Sequence, residues 1–266
     1  MTWERHAGEC FSAWEETRAG QFAVQQQQHL LLHLMTDWRR RQQRLLEVGC
    51  GTGRFLETFW HAGFDVTGVD ASAELIAKAR RRLGYRADFQ VGRADYLDIE
   101  DRSFDYVVIR MLAGFCPEPQ RLLREAGRVA RKGVMIGLFN CKSLYAASVR
   151  LSRDGGEAGE MLKRARVRGW PDLRRCIRKC LSVDSLRAAS VLPGPACTWR
   201  NGGLSRSLNS KLYPPKWGAY CAGRVDLARD RIGTPLMAWK AEPSASCFSS
   251  QLLRRKPNSL RDGLRM

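Results

Sequence analysis

The chain has 266 residues, of which 44% are hydrophobic, and that length and apolar content suit one large single-core domain, with or without an inserted lid, and leave little room for two full domains. Glycine (24) and proline (10) are ordinary in number, which excludes collagen-like and low-complexity classes. Lys plus Arg total 45 against 27 for Asp plus Glu, a net charge of +18. Such an excess favours phosphates, anionic lipid or acidic substrates, although an arginine-rich composition gives the same bias with no partner at all.

Residues 1–40 read as a helical leader. Phe22, Val24, Leu30, Leu31, Leu34 and Trp38 recur at near-helical spacing. The leader has no apolar stretch of signal-peptide length, and Leu30–Met35 is far too short to span a bilayer, so no membrane span is expected. Nine scattered cysteines without an export signal point to free thiols and a cytoplasmic setting.

The period then changes. Arg44–Val48 is a short apolar run ending in glycines, which suits a buried strand. A helix is predicted from Arg54 to about Ala62, a strand over Asp65–Val69, and a helix over Ala73–Leu83 with Ser72 as its N-cap. Phe89–Val91 and Phe104–Ile109 follow as strands, Gln120–Ala130 as a basic amphipathic helix, and Gly133–Phe139 as another strand. This alternation predicts an α/β fold, a doubly wound and mostly parallel sheet with helices on both faces. Ligands of such sheets bind at the carboxyl ends of the strands.

Beyond Asn140 the pattern weakens. Residues 150–180 carry ten basic and four acidic side chains, with glycine breaks, and read as a basic insertion or lid. Ser182–Ala189 reads as a capped helix, and Ala219–Leu227 and Pro235–Lys240 as two late strands. The main domain is therefore expected over 41–242, with a disordered tail over 243–266.

The chemistry sits in Glu47-Val48-Gly49-Cys50-Gly51-Thr52-Gly53-Arg54, between a strand and a helix. Glycines let the backbone approach a ligand closely, and the helix that follows aims amide donors at it. The spacing G-x-G-x-G, with Arg54 in the sixth position, departs from the dinucleotide fingerprint, and no Gly-Lys-Ser/Thr follows to make a Walker loop. Alone it could be a plain tight turn. Asp70, about twenty positions on at the end of the second strand, can bond both hydroxyls of a ribose or merely cap the next helix.

Taken together, Leu45–Gly53, Gly68–Ser72, Val91–Leu97, Ser103–Val108 and Glu125–Gly133 resemble the successive motifs of class I S-adenosylmethionine-dependent methyltransferases. The leader segment Phe11–Thr17 with Gly20 resembles the ubiquinone/menaquinone-biosynthesis type. The resemblance covers roughly residues 10–140 and implies a seven-stranded Rossmann-like sheet with S-adenosyl-L-methionine as cofactor. It implies that Gly49, Cys50, Gly51, Thr52 and Gly53 pass under the methionine part, and that Glu47 orients this loop and helps hold the amino group. Asp70 takes the ribose hydroxyls, Ala71 and Ser72 border the adenine, and Ala94 and Asp95 read its edge. Arg110 and Met111 sit near the reactive methyl group.

The sequence departs from that family at Arg93, where an acid is common, at Phe11, where a tyrosine is common, and past Met111, where histidines are common. No general base is evident. His6, His29, His33 and His61 are expected on the surface or in packing, and Tyr96, Asp98 and Tyr145 are candidate groups on the substrate side. Cys176 and Cys180 lie one helical turn apart without a second ligand pair, so no metal site is expected.

Three functions follow. The first is methyl transfer to a small-molecule or lipid-like acceptor. The second is RNA methylation, with nucleic acid held by the basic 150–180 segment. The third is a non-catalytic, cofactor-binding interaction subunit.

Overall fold

In a computed structural model, residues 14–151, 169–200 and 202–228 are described. The leader forms helix α1 (Arg18–Leu34), started by Thr17, whose side chain accepts a hydrogen bond from the Gly20 amide. The chain then turns, and Trp38 packs on the core without extending the helix. The alternation follows as predicted, in the order β1 (Arg44–Val48), α2 (Arg54–His61), β2 (Asp65–Asp70), α3 (Ala73–Leu83) and β3 (Ala87–Val91). Next come β4 (Phe104–Arg110), the short α4 (Leu112–Phe115), α5 (Pro119–Val129) and β5 (Ala130–Phe139). The remainder is α6 (Leu144–Leu151), α7 (Trp170–Cys180), β6 (Val183–Val191), α8 (Gly203–Asn209) and β7 (Tyr220–Leu227).

One seven-stranded sheet runs in the order β3-β2-β1-β4-β5-β7-β6. The first five strands are mutually parallel, and β7 lies antiparallel between β5 and β6. Every residue of β4 is buried, as a central strand covered on both faces requires. The two faces carry separate cores. One gathers Leu45, Tyr106, Met135 and Ala222 beneath α1 and α2, and the other gathers Leu46, Val107, Ile136 and Val225 beneath α5 and α7.

The strand order reverses beside β1, because β2 and β3 lie on one side of it and β4 on the other. The carboxyl ends of β1, β2 and β4 therefore open onto a common crevice, the usual ligand position in such sheets.

One expected element is wrong. Residues 183–191 form an edge strand, not the capped helix expected over Ser182–Ala189. Leu186, Arg187, Ala188 and Ala189 are good helix formers, but the segment pairs antiparallel with β7 from Val183 to Val191. Ser185 also donates its hydroxyl hydrogen to Asp226 Oδ2 at 2.6 Å, so the cross-strand ladder overrides local preference. Within the basic 150–180 segment, residues 152–168 lie outside the described residues, while α7 packs Leu173 and Ile177 into the core. The expected strand Pro235–Lys240 and the 243–266 tail also lie outside them. Among the described residues, no helix is long and apolar enough to cross a membrane.

Candidate active site

The glycine turn after β1 follows from its backbone. Gly49, Gly51 and Gly53 have φ of 76°, 55° and 77°, a region that residues with a Cβ adopt only under strain. A Cβ on Gly49 would strike Leu112, and one on Gly53 would strike Leu83 and Ala79, whereas Gly51 faces open space. The turn is tied down by amides. Gly49 and Cys50 donate to the Val69 carbonyl at 2.7 and 3.1 Å, and Gly51 donates to Asp70 Oδ2 at 2.8 Å. Thr52 is half-buried in the turn, while the Cys50 thiol points down into the core against Gly68, so only the backbone of Cys50 faces the crevice. Burial pushes that thiol well above its ordinary range.

Asp70 ends β2 opposite this turn. Its other oxygen, Oδ1, accepts from the Ser72 amide at 2.9 Å, while Ser72 itself caps α3 by accepting from Leu75. Asp70 therefore does not cap the helix. Each of its carboxylate oxygens accepts one amide and keeps further lone-pair capacity. Burial raises its pKa, and the amides of Ser72 and Gly51 oppose the rise. Ala71 is half-buried beside it.

Glu47, two residues before the turn, is fully buried, and neither of its oxygens has a hydrogen-bond partner among the described residues. Burial pushes it up to about 8, against the nearby positive charge of Arg110. Arg110 Nε lies 3.7 Å from Glu47 Oε1, while Arg110 Nη1 donates to Glu15 Oε1 at 3.3 Å. The Arg110 guanidinium stacks on Phe55, with its carbon 3.8 Å from the ring centroid. Arg54 completes the cluster, 3.8 Å from Glu15 and 2.8 Å from Glu16. Met111 follows with φ 73°, a strained value for a residue with a side chain, and its amide donates to Gly137.

The structure thus brings Glu47, the turn 49–53, Asp70–Ser72 and Arg110–Met111 to one edge. Ala94 is buried after β3, and Asp95 stands beside it. The Asp95 carboxylate is gripped by Arg93, whose Nε and Nη2 donate at 3.0 and 2.8 Å. This is where the family's usual acid is replaced. His29, His33 and His61 are exposed, as expected, and His6 lies outside the described residues. Tyr145 is buried in an aromatic cluster with Trp199 and Phe139, while Tyr96 is exposed. Cys176 and Cys180 are free thiols on α7. Among the described residues, no three His, Cys, Asp or Glu side chains gather as a metal set. Sequence reasoning missed Glu15 as part of this site. Its only signal was a place in the leader motif, and the ion pairs to Arg110 and Arg54 are tertiary.

The residues fit S-adenosylmethionine. A buried carboxylate at Glu47 with no hydrogen-bond partner among the described residues suits an ammonium group, Asp70 retains acceptor capacity for a ribose diol, and the open side of Gly51 leaves room above the turn. A seven-stranded sheet, with a glycine turn after β1 and an acid ending β2, is the arrangement that the resemblance of the sequence motifs implies.

Comparisons with known proteins agree. Residues 46–137 match the family model described as "Methyltransferase domain". The chain is 39% identical over 105 residues to a phosphatidylethanolamine N-methyltransferase of Cereibacter sphaeroides, a match covering 38% of this chain and 51% of that protein. It is 28% identical over 195 residues to a malonyl-[acyl-carrier protein] O-methyltransferase of Pectobacterium atrosepticum, covering 66% of this chain and 76% of the relative. Among solved structures, a SAM-dependent methyltransferase of Thermotoga maritima, titled a possible histamine N-methyltransferase, superposes with a TM-score of 0.64. It is 22% identical, and the match covers 85% of this chain and 98% of that one. Residues 46–137 are thus similar to a methyltransferase domain, and the chain spans about half the length of the phosphatidylethanolamine N-methyltransferase that it matches. The family match and the geometry of the site both point to S-adenosylmethionine as the cofactor.

Proposed function

We propose that this chain transfers the methyl group of S-adenosylmethionine, by in-line displacement, to a small-molecule or lipid-like acceptor. The observation that carries the reading is the pair of buried carboxylates, Glu47 and Asp70, held at the ends of adjacent parallel strands on either side of the glycine turn. The relatives named above act, by their names, on a phospholipid and on an acyl-carrier-bound acid, which supports an acceptor of that kind.

The cofactor supplies a sulfonium whose methyl is already electrophilic. The protein's task is then alignment, which lowers a barrier by several kcal/mol when it holds reactants in line. In this reading Glu47 holds the amino group, Asp70 holds the ribose and Ala71 and Ser72 border the adenine. Ala94 contributes its backbone amide to the adenine edge. Asp95 contributes there only if its carboxylate shares itself with Arg93. Arg110 and Met111 wall the methyl group. A base is needed only where the acceptor must lose a proton.

The test is calorimetric titration with S-adenosylmethionine beside Asp70→Ala, followed by mass spectrometry of small-molecule and lipid pools incubated with enzyme and cofactor. Micromolar binding lost in the variant, with an acceptor that gains a methyl group in place of a hydrogen, is the expected outcome. Binding without turnover on any pool would favour the interaction-subunit reading instead.

A further inference from the structure

Tyr220 opens β7, about 170 residues from the motifs in sequence. It is fully buried, and its hydroxyl has no hydrogen-bond partner among the described residues. An unpaired buried hydroxyl is unfavourable, and native chains rarely keep one without a use. Its ring reaches the site by a specific route. Glu47 alternates with Leu45, and Arg110 with Val108, so both point to the sheet face that also carries Tyr220. Gly137 of β5 pairs with Arg110 on one side and Ala222 on the other. A Cβ on Gly137 would lie 2.0 Å from the Tyr220 hydroxyl oxygen and 2.7 Å from Cζ. The ring thus lies across Gly137, where β5 lacks a side chain, and its hydroxyl is aimed from β7 towards the end of β4. Arg110 and Glu47 are close enough for their charges to act on it.

Three buried groups without a hydrogen-bond partner among the described residues therefore lie on this face, namely the Glu47 carboxylate, Arg110 Nε and the Tyr220 hydroxyl, the first two facing each other at 3.7 Å. The carboxylate accepts and the other two donate. Burial raises the Tyr220 pKa, so the hydroxyl keeps its proton and can donate. An α-amino acid group carries an ammonium and a carboxylate on one carbon, which matches this set.

We propose that Tyr220 is a cofactor-binding residue whose hydroxyl donates to the carboxylate of the methionine end of S-adenosylmethionine, beside Arg110, while Glu47 takes the ammonium. This rests on the cofactor assignment above and adds to it a residue that no motif marks. Tyr220 acts on binding and orientation and moves no proton.

The experiment compares S-adenosylmethionine with its decarboxylated form by calorimetry, on the full chain and on Tyr220→Phe. The phenylalanine keeps the ring that packs edge-on against Phe139 at 5.7 Å. The expected result is that the variant binds S-adenosylmethionine about tenfold more weakly, the size of one hydrogen bond to a charged group. The decarboxylated form binds both proteins equally, and the variant melts no lower than the parent. Equal weakening for both ligands, or no weakening for either, overturns the proposal. A variant that melts well below the parent overturns it too, because the hydroxyl would then have a structural partner. No binding of S-adenosylmethionine to the parent would instead remove the cofactor assignment itself.

Discussion

The two wings of the sheet build their parts of the site by different means. On the β2–β1 wing, residues 47–53 and 70–72 make the crevice from adjacent turns, and the turn is tied to the acid by a single amide, Gly51 to Asp70 at 2.8 Å. On the β5–β7 wing, Tyr220 arrives from the far end of the chain and crosses Gly137 to reach the same place. The first wing is local in sequence, its glycines have φ values other residues avoid, and its polar atoms are mostly satisfied. The second is assembled by long-range antiparallel pairing and leaves a buried hydroxyl without a hydrogen-bond partner among the described residues. A ligand should accordingly depend on the first wing for affinity and on the second for discrimination.

Asp70→Ala should break the first wing most severely. It removes the acid proposed to hold the ribose and strands the Gly51 and Ser72 amides together. Cofactor affinity should fall by about a hundredfold or more, two charge-assisted hydrogen bonds' worth, as read by calorimetry. A loss of less than threefold would mean that the acid is only a brace for the turn.

Gly137→Ala tests the second wing through packing. The added methyl must displace the Tyr220 ring, and overpacking of this kind costs about 1–3 kcal/mol. A melting temperature lower by roughly 2–4 °C per kcal/mol is expected. An unchanged melt would mean that the ring moves freely and is not held over β5.

Glu47 links the wings and gives a pH signature. Its pKa is raised to about 8 from the ordinary 4.5, so between those values the folded chain binds more protons than the unfolded one. Its contribution therefore lowers stability as pH rises through that window, and the loss is complete above it. A cationic group bound beside Glu47 favours the carboxylate. Cofactor binding near pH 7 should release a proton, seen as a heat that varies with buffer ionisation enthalpy, and affinity should tighten from about pH 6.5 to about pH 8.5. Glu47→Gln should abolish both effects. A buffer-independent heat in the parent would place the ammonium elsewhere.

The smallest effect is expected away from both wings. Replacing Cys176 and Cys180 of α7 with serine should change stability by no more than about 0.5 kcal/mol and leave cofactor affinity unchanged, since among the described residues neither thiol joins a group of three metal-ligating side chains. A large loss of affinity would show that α7 communicates with the site.

Much of the first wing was readable because its signals are local. The switch from period 3.6 to short apolar runs located β1, β2, β4 and β5, and the spacing between the glycines and Asp70 located the crevice. Ser72 was readable as a cap because a cap needs only the three residues after it. The misread segment at 183–191 shows the opposite case. Its leucine and alanines favour a helix, and only pairing with β7, which lies far along the chain, makes it a strand. The Arg93–Asp95 fork could not be anticipated either, since residues two apart in sequence meet only when the bend after β3 folds them together.

By itself the sequence determined the α/β alternation, the glycine turn and the acid at its distance, because backbone conformation and hydrophobic period act over a few residues. The tertiary structure alone decided that Glu15 pairs with Arg110, that Glu47 is buried without a hydrogen-bond partner among the described residues, and that the Tyr220 hydroxyl lies over Gly137. Those contacts join residues as many as 95 apart in numbering, and burial and charge are properties of the assembled interior, with no local pattern to announce them.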